Sequence, residues 1–263
     1  MSAVDYTGTT VLITGASSGL GSAFAQQLAE RGADLVLVAR SRDKLDETAN
    51  ELRSRHRIAA SVYDCDLAQP GAGVTLATQL ASDGVRVDTL INNAGVGTHG
   101  DFVAQDADAI GAQVQLNVAA VVVLTRALLP QMLASERGAL VNIASTSAYQ
   151  PTPSMAVYGA SKAFVLSFTE ALAYEHRHSR LRILAVSPGP MRTPFFDVLG
   201  TTRPGVGVWQ TPEAVAAQTL RTLDRRWAPP SIISGPLNAV PVIANRLAPR
   251  RVVLAITGKA VGA

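Results

Sequence analysis

A chain of 263 residues that is 48% hydrophobic and 16% charged has ample apolar material for one large buried core, and lies far from the composition of a disordered polypeptide. A formal charge of +3 does not mark a nucleic-acid binder, and the single cysteine, Cys65, excludes an internal disulfide and a cysteine-based zinc cluster. No charged start leads into an apolar stretch, and no uninterrupted run of about 18 apolar residues occurs, so the composition reads as a soluble, cytoplasmic protein with no signal peptide or transmembrane segment.

Short β-branched runs at 10–14, 35–39, 59–63, 89–91, 140–143 and 182–187 read as strands buried on both faces. Between them, stretches near 19–31, 43–55, 106–135 and 156–179 read as helices, the first opening at a glycine-rich turn. This alternation predicts an α/β chain with a Rossmann-type, doubly wound parallel sheet in three layers and a single domain. Residues 194–210, with Pro, Gly and two Phe, read as a loop able to close over a substrate. Thr211-Pro212-Glu213 then supplies an N-cap, a proline at the first helical position and an early acid for a helix reaching about residue 225.

The turn Gly15-Ala16-Ser17-Ser18-Gly19-Leu20-Gly21 lies between a strand and a helix, where glycines let the backbone approach a pyrophosphate held by helix N-terminal N–H groups. An NAD-preferring site presents an acid to the adenosine ribose at the end of the second strand. Asp34 falls at the right count but begins that strand, roughly 15 Å from its carboxyl end at about 3.3 Å per residue. Ala39 stands at the carboxyl end, and Arg40 follows with a planar, permanently charged fork suited to a phosphate. The pattern favours NADP(H), the alternative being a merely solvated arginine; Ser18, Ser41 and Arg42 are candidate second contacts.

Tyr158-Gly159-Ala160-Ser161-Lys162 places a phenol and an ammonium four residues apart, on one face of a helix. A nearby ammonium would stabilise the phenolate and make the phenol a better proton donor near neutrality. Ser145 lies thirteen residues before Tyr158, just beyond a strand, and Asn92-Asn93-Ala94-Gly95 follows another strand, so both reach the same crevice.

In order and spacing, TGASSGLG, NNAG, Asn117 within QLNV, Ser145, YGASK and PGPMRT resemble the short-chain dehydrogenase/reductase superfamily over residues 9–193, and more loosely over 211–235. The resemblance implies an oxidoreductase in which Tyr158 is the general acid in carbonyl reduction, or the base in alcohol oxidation. Lys162 would tune Tyr158 and hold the nicotinamide ribose, Ser145 would hydrogen-bond the substrate oxygen, and Asn117 would anchor a water relaying protons toward Lys162. Asn117 has a plainer alternative, satisfying backbone in a helix interior. Thr146 and Ser147 compete with Ser145, which is preferred on its spacing from Tyr158. Cofactor contacts would come from Gly15, Ser17, Ser18, Gly19, Leu20 and Gly21; from Asp66 and Leu67 at the adenine; from Asn93, Ala94 and Gly95 on the adenosine side; and from Pro188, Gly189 and Thr193 at the carboxamide. Asp64 competes with Asp66, and Cys65 between them reads as a small buried residue.

The chain departs from the common family pattern at its end, where residues 1–235 form the catalytic domain and 236–263 an extension. Residues 211–263 carry seven Arg or Lys against Glu213 and Asp224. The extension is read as packed on the domain or on a sister subunit, with contact to an anionic membrane as the alternative and with Pro241 and Pro249 breaking any long amphipathic helix. Tyr149, Pro151, Met155, Pro190, Phe195, Phe196 and Trp209 flank the site and favour an apolar ketone or aldehyde, or the matching alcohol. Histidines 56, 99, 176 and 178 show no metal-binding spacing. Together these features predict an NADP(H)-dependent enzyme, a homo-oligomer through the helices at 106–135 and 156–179, with a non-catalytic NADP(H)-sensing protein as the contrary class.

Overall fold

The computed structural model describes residues 4–135, 137–199 and 207–261. The described strands are β1 (Thr10–Thr14), β2 (Asp34–Ala39), β3 (Ala60–Asp64), β4 (Thr89–Asn92), β5 (Ala139–Ile143), β6 (Arg182–Ser187) and β7 (Ser231–Ile233). They form one parallel sheet in the order β3-β2-β1-β4-β5-β6-β7. The helices are α1 (Gly19–Ala29), α2 (Arg42–His56), α3 (Ala72–Ser82), α4 (Ala107–Val114), α5 (Ala120–Ser135), α6 (Ala156–Glu175), α7 (Phe195–Leu199), α8 (Pro212–Leu223), α9 (Pro236–Leu247) and α10 (Arg250–Val261).

Successive side chains of a strand point to opposite faces, and both faces here are covered. In β1, Val11 and Ile13 join Phe24, Leu28, Leu45 and Leu220 beneath α1, α2 and α8. Leu12 between them joins Leu76, Leu80, Leu124 and Leu128 beneath α3 and α5. The central strands are therefore mostly apolar, as read from the sequence, with a few buried polar residues among them. β3 is the exception: it lies at the sheet edge, and Ser61 and Asp64 are exposed rather than buried. β7 closes the other edge with three residues, too short for a periodic signal.

The chain also carries α3, α7, α9 and α10, none of which was expected as a helix. Pro249 separates α9 from α10, but Pro241 stands inside α9 without ending it. The predicted helix at 106–135 is interrupted by a wide π-type turn, Gln115–Ala119, between α4 and α5. By length and mean hydropathy the stretch Ala107–Ser135 is long and apolar enough to cross a membrane, although Asn117, Thr125 and Arg126 interrupt its apolar run. Its C-terminal half packs Leu124, Leu128 and Met132 into the core against β4 and β5, as a core helix of an α/β sheet must.

A buried chain of polar side chains fastens the helices to the sheet beside the site. Asn92 of β4 donates to Thr125 of α5 at 3.1 Å and to Asn142 of β5 at 2.9 Å. Asn142 donates to Thr169 of α6 at 2.9 Å, and Thr169 donates to the carbonyl of Val165. Every side chain in the chain is buried, so each relies on its partners instead of water. Asn142→Ala strands the Asn92 amide and the Thr169 hydroxyl, and is expected to cost about 1–3 kcal/mol. Urea unfolding of the two proteins checks this; an unchanged midpoint would show that the chain does not hold α5 and α6.

Candidate active site

The sheet's carboxyl ends border a cleft of about 470 Å³. On one side lies the glycine-rich turn after β1, where Gly15 and Gly19 take φ of +68° and +56°, values L side chains rarely adopt. A Cβ on Gly21 would lie 2.1 Å from the Gly15 carbonyl oxygen, so Gly21 lets α1 pack against its own turn and does not itself line the cleft. The turn is pinned to the end of β4. Thr14 Oγ1 accepts from the backbone N–H groups of Asn93 and Ala94, each at 3.0 Å, and Asn93 Nδ2 donates to the Thr14 carbonyl at 2.9 Å. Asn93 thus braces the turn with its side chain while Ala94 and Gly95 complete the wall. Ser18 caps α1 without a side-chain hydrogen bond, and no acid occupies the first turn, which leaves helix N–H groups for an anion beside Ser17 and Leu20.

At the carboxyl end of β2, Arg40 and Ser41 line the cleft, and Lys44 joins them from the first turn of α2. Among the described residues no ion pair involves Arg40 or Lys44. Arg42 is not available: it pairs with Asp46 at 2.8 Å and Asp64 at 3.2 Å. That ion pair also separates the two competing acids, since Asp64 is turned to Arg42 while Asp66 and Leu67 face the cleft. Asp34 accepts from the Ala59 N–H at 2.8 Å, far from the rim, where it joins the entries of β2 and β3. Cys65 is half-buried and lines the cleft instead of being enclosed; burial pushes its thiol up, with Asp66 and Asp64 adding to the shift. The free cations, open helix terminus and glycine turn form a cradle that fits a dinucleotide carrying an additional phosphate.

Across the cleft, Tyr158 and Lys162 lie one turn apart on α6, and the backbone N–H of Ser147 donates to Ser145 Oγ at 3.1 Å. Thr146 and Ser147 also reach the wall, but Ser145 is the one of the three that lowers the pKa of the Tyr158 phenol. Burial pushes that phenol up to about 12, against the lowering effect of the Ser145 hydrogen bond. Lys162 is buried, donates to the Ile143 carbonyl at 2.8 Å, and is pulled down to about 8 by desolvation. The expectation that the ammonium lowers the phenol is therefore corrected. Nζ lies 5.9 Å from the Tyr158 ring centre and is bonded elsewhere, so desolvation dominates both groups.

Asn117 is fully buried in the π-type turn. Its Oδ1 accepts from the Val96 N–H at 3.0 Å, and Nδ2 donates to the Val96 carbonyl at 2.8 Å and to Ser161 Oγ at 3.1 Å. Both amide hydrogens are thus committed, and the side chain clamps the segment after Gly95 through the Val96 backbone. Gly95 fits beneath this clamp because a Cβ there would lie 3.2 Å from both Asn117 Oδ1 and Lys162 Nζ.

The far wall is built by Pro188, Gly189 and Thr193 and then by apolar residues. The Tyr158 and Phe195 rings are 5.4 Å apart, Phe195 and Phe196 5.6 Å, and Phe196 and Trp209 4.9 Å. Met155, Pro190, Phe195 and Phe196 line the cleft as expected, but Tyr149, Pro151 and Trp209 do not, Trp209 reaching it only through Phe196. Tyr149 turns inward, where its hydroxyl accepts from Ser187 at 3.3 Å. Composition gave no signal for His99, Gln150 and Thr257, which add polar groups to the lining. Of the expected loop at 194–210, residues 195–199 form α7, and 200–206 lie outside the described residues.

A sequence profile of short chain dehydrogenases matches residues 9–204, most of the chain. The chain belongs to the short-chain dehydrogenase family. The "Oxidoreductase UcpA" of Salmonella typhimurium is 36% identical over 194 residues, covering 73% of this chain and 72% of that protein. The "Very-long-chain 3-oxoacyl-CoA reductase-B" of Danio rerio is 32% identical over 181 residues, covering 67% of this chain; the match spans only 58% of that relative's length. Among solved structures, a short-chain dehydrogenase from Sphingobium yanoikuyae in complex with NADPH superposes with a TM-score of 0.81 at 35% identity, covering 94% of this chain and 95% of that one.

Because the folded-state pKa of Lys162 lies near 8, below the 10.5 of a free lysine, the unfolded chain holds more protons between those values and stability contributed at this site rises with pH. Lys162→Met removes the titration. Its stability advantage or deficit relative to the native chain should shift against the variant by on the order of 3 kcal/mol on going from neutral to strongly alkaline pH. Chemical denaturation at several pH values measures this; a pH-independent difference would mean that Lys162 remains charged.

Proposed function

We propose that this chain is an oxidoreductase that transfers hydride between NADP(H) and the carbonyl or alcohol carbon of an apolar ketone or aldehyde. The observation that carries the reading is the placement of Ser145, Tyr158 and Lys162 on one wall of the cleft, between the phosphate-ready cradle and the aromatic wall begun by Phe195. Arg40 and Lys44 would hold the additional phosphate of NADP(H), the α1 terminus the pyrophosphate, and Lys162 the ribose next to the nicotinamide. The bound dinucleotide supplies the hydride. The NADPH bound to the Sphingobium relative and the name of the zebrafish reductase support this choice of cofactor and of carbonyl on an apolar body.

The chain's own contribution is a proton and its placement. Ser145 and Tyr158 line the same cleft, where their hydroxyls would donate two hydrogen bonds to a carbonyl oxygen as negative charge develops on it. Tyr158 then gives its proton to that oxygen. Burial holds the phenol protonated and raises its pKa, so the charge brought by the bound dinucleotide would have to lower it for efficient proton transfer. Asn117 acts on this chemistry indirectly, by fixing Val96 and Gly95 against Lys162. We further propose that two copies pair through α5 and α6, where Phe164 stacks on Phe168 at 5.8 Å and remains exposed, as does Tyr174.

Tyr158→Phe tests the reading. With a panel of apolar ketones and aldehydes, NADPH consumption should fall by about 10²–10⁴-fold, while NADPH affinity by fluorescence titration changes little. A variant that keeps most of its rate would remove Tyr158 from the acid role. A native chain that binds NADPH but turns over no carbonyl or alcohol would favour the sensing protein.

A further inference from the structure

The C-terminal helices are apolar on the outside. α9 buries Asn238 and Val242 and exposes Leu237, Val240 and Ile243 to 64%, 62% and 58%. These three positions, spaced by three residues, form one outward stripe on the helix. α10 buries Val253 and Thr257 and exposes Val252, Leu254 and Ile256. Six of the fifteen large apolar side chains exposed among the described residues thus fall on two consecutive helices. Asn238 extends the surface: its Oδ1 accepts from the Val208 N–H and its Nδ2 donates to the Val208 carbonyl at 3.2 Å, which holds the exposed Val208 and Trp209 beside the start of α9.

The charged residues of these two helices have one sign. Arg250, Arg251 and Lys259 of α10 are exposed, and the sequence contains no Asp or Glu after Asp224. A second copy related by a two-fold axis would set cations against cations with no acid to pair them. An anionic bilayer meets both features, because interfacial helices bury an apolar face at the headgroup boundary with Lys and Arg around it, and tryptophan is enriched at that depth.

We propose that α9, α10 and the Val208–Trp209 segment dock this protein on the surface of a bilayer containing anionic lipids. The same face adjoins the candidate site. Thr257 on the inner side of α10 lines the cleft, and the ring series Trp209, Phe196, Phe195 and Tyr158 runs unbroken from the docking surface to the phenol. Resting on the proposed apolar substrate, docking lets a ketone or aldehyde dissolved in the bilayer enter along that aromatic row without crossing bulk water.

The test is co-sedimentation of the full chain with vesicles of phosphatidylcholine alone and of phosphatidylcholine mixed with phosphatidylserine. Binding is expected to the mixed vesicles only, and to weaken with added salt. Arg250→Glu/Arg251→Glu and, separately, Leu237→Ser/Val240→Ser/Ile243→Ser should each lower the bound fraction by about tenfold or more. Both variants should keep native NADPH affinity, which reports the cofactor site independently of docking. In a Trp227→Phe background Trp209 is the sole tryptophan, and its emission should shift to the blue on mixed vesicles. Failure of the native chain to sediment, equal sedimentation of the variants, or a lipid-free oligomer that dissociates in the apolar triple variant would each overturn the proposal, the last by assigning the face to a second copy.

Discussion

The whole site depends on one reversal in the sheet. From β1 the chain runs outward to β2 and β3, then returns across β1 to place β4 on its other side and continues to β7. The connections leaving β1 and β4 therefore diverge to opposite faces, and a crevice opens between them at the carboxyl edge. Thr14 holds the two sides of that crevice together through three hydrogen bonds with Asn93 and Ala94, while Gly15 and Gly19 form the turn beside it and Gly21 lets α1 pack against that turn. Binding and chemistry are then a matter of what each strand end presents: Arg40 after β2, Asp66 after β3, Ser145 after β5, Pro188 and Gly189 after β6.

Positioning on the opposite wall rests on buried polar groups. Thr169, two turns beyond Lys162 on α6, is tied through Asn142 to Asn92, so the helix bearing Tyr158 cannot slide along the sheet without stranding amides in a dry core. Nearer the cleft, Asn117 and Lys162 bond to backbone on neighbouring strand ends, at Val96 and Ile143. Holding an ammonium there is unfavourable in solvation terms, which its depressed pKa expresses. Such a group in a cleft is characteristic of sites built for proton chemistry or for binding polar ligand atoms.

The central strands were legible because a strand covered on both faces is mostly apolar, as Val11, Leu12 and Ile13 are in succession. β3 resembled them in its β-branched residues, but edge placement depends on chain order, which no local pattern records. The helices α3, α9 and α10 escaped notice for different reasons: α3 is a short Ala- and Thr-containing stretch, and α9 turns its apolar residues outward, so its pattern does not match a core-facing helix. Within the site, motif positions were readable as positions and less so as contacts. Gly21 and Asn117 act from behind the wall, Asn93 braces the glycine turn as well as lining the cleft, and Arg42 is drawn away by Asp46 and Asp64. Lys44 was missed because its approach to Arg40 needs the helix to begin directly after β2.

Cofactor choice is the claim on which the chemistry stands, and it reduces to whether two unpaired cations at the end of β2 meet a phosphate. The most direct measurement is a fluorescence titration of the native chain and of Arg40→Ala with NADPH and NADH at one ionic strength. NADPH should bind the native chain more tightly, and Arg40→Ala should lose far more affinity for NADPH than for NADH. Equal losses for the two nucleotides, or a native preference for NADH, would contradict a phosphate clamp at Arg40.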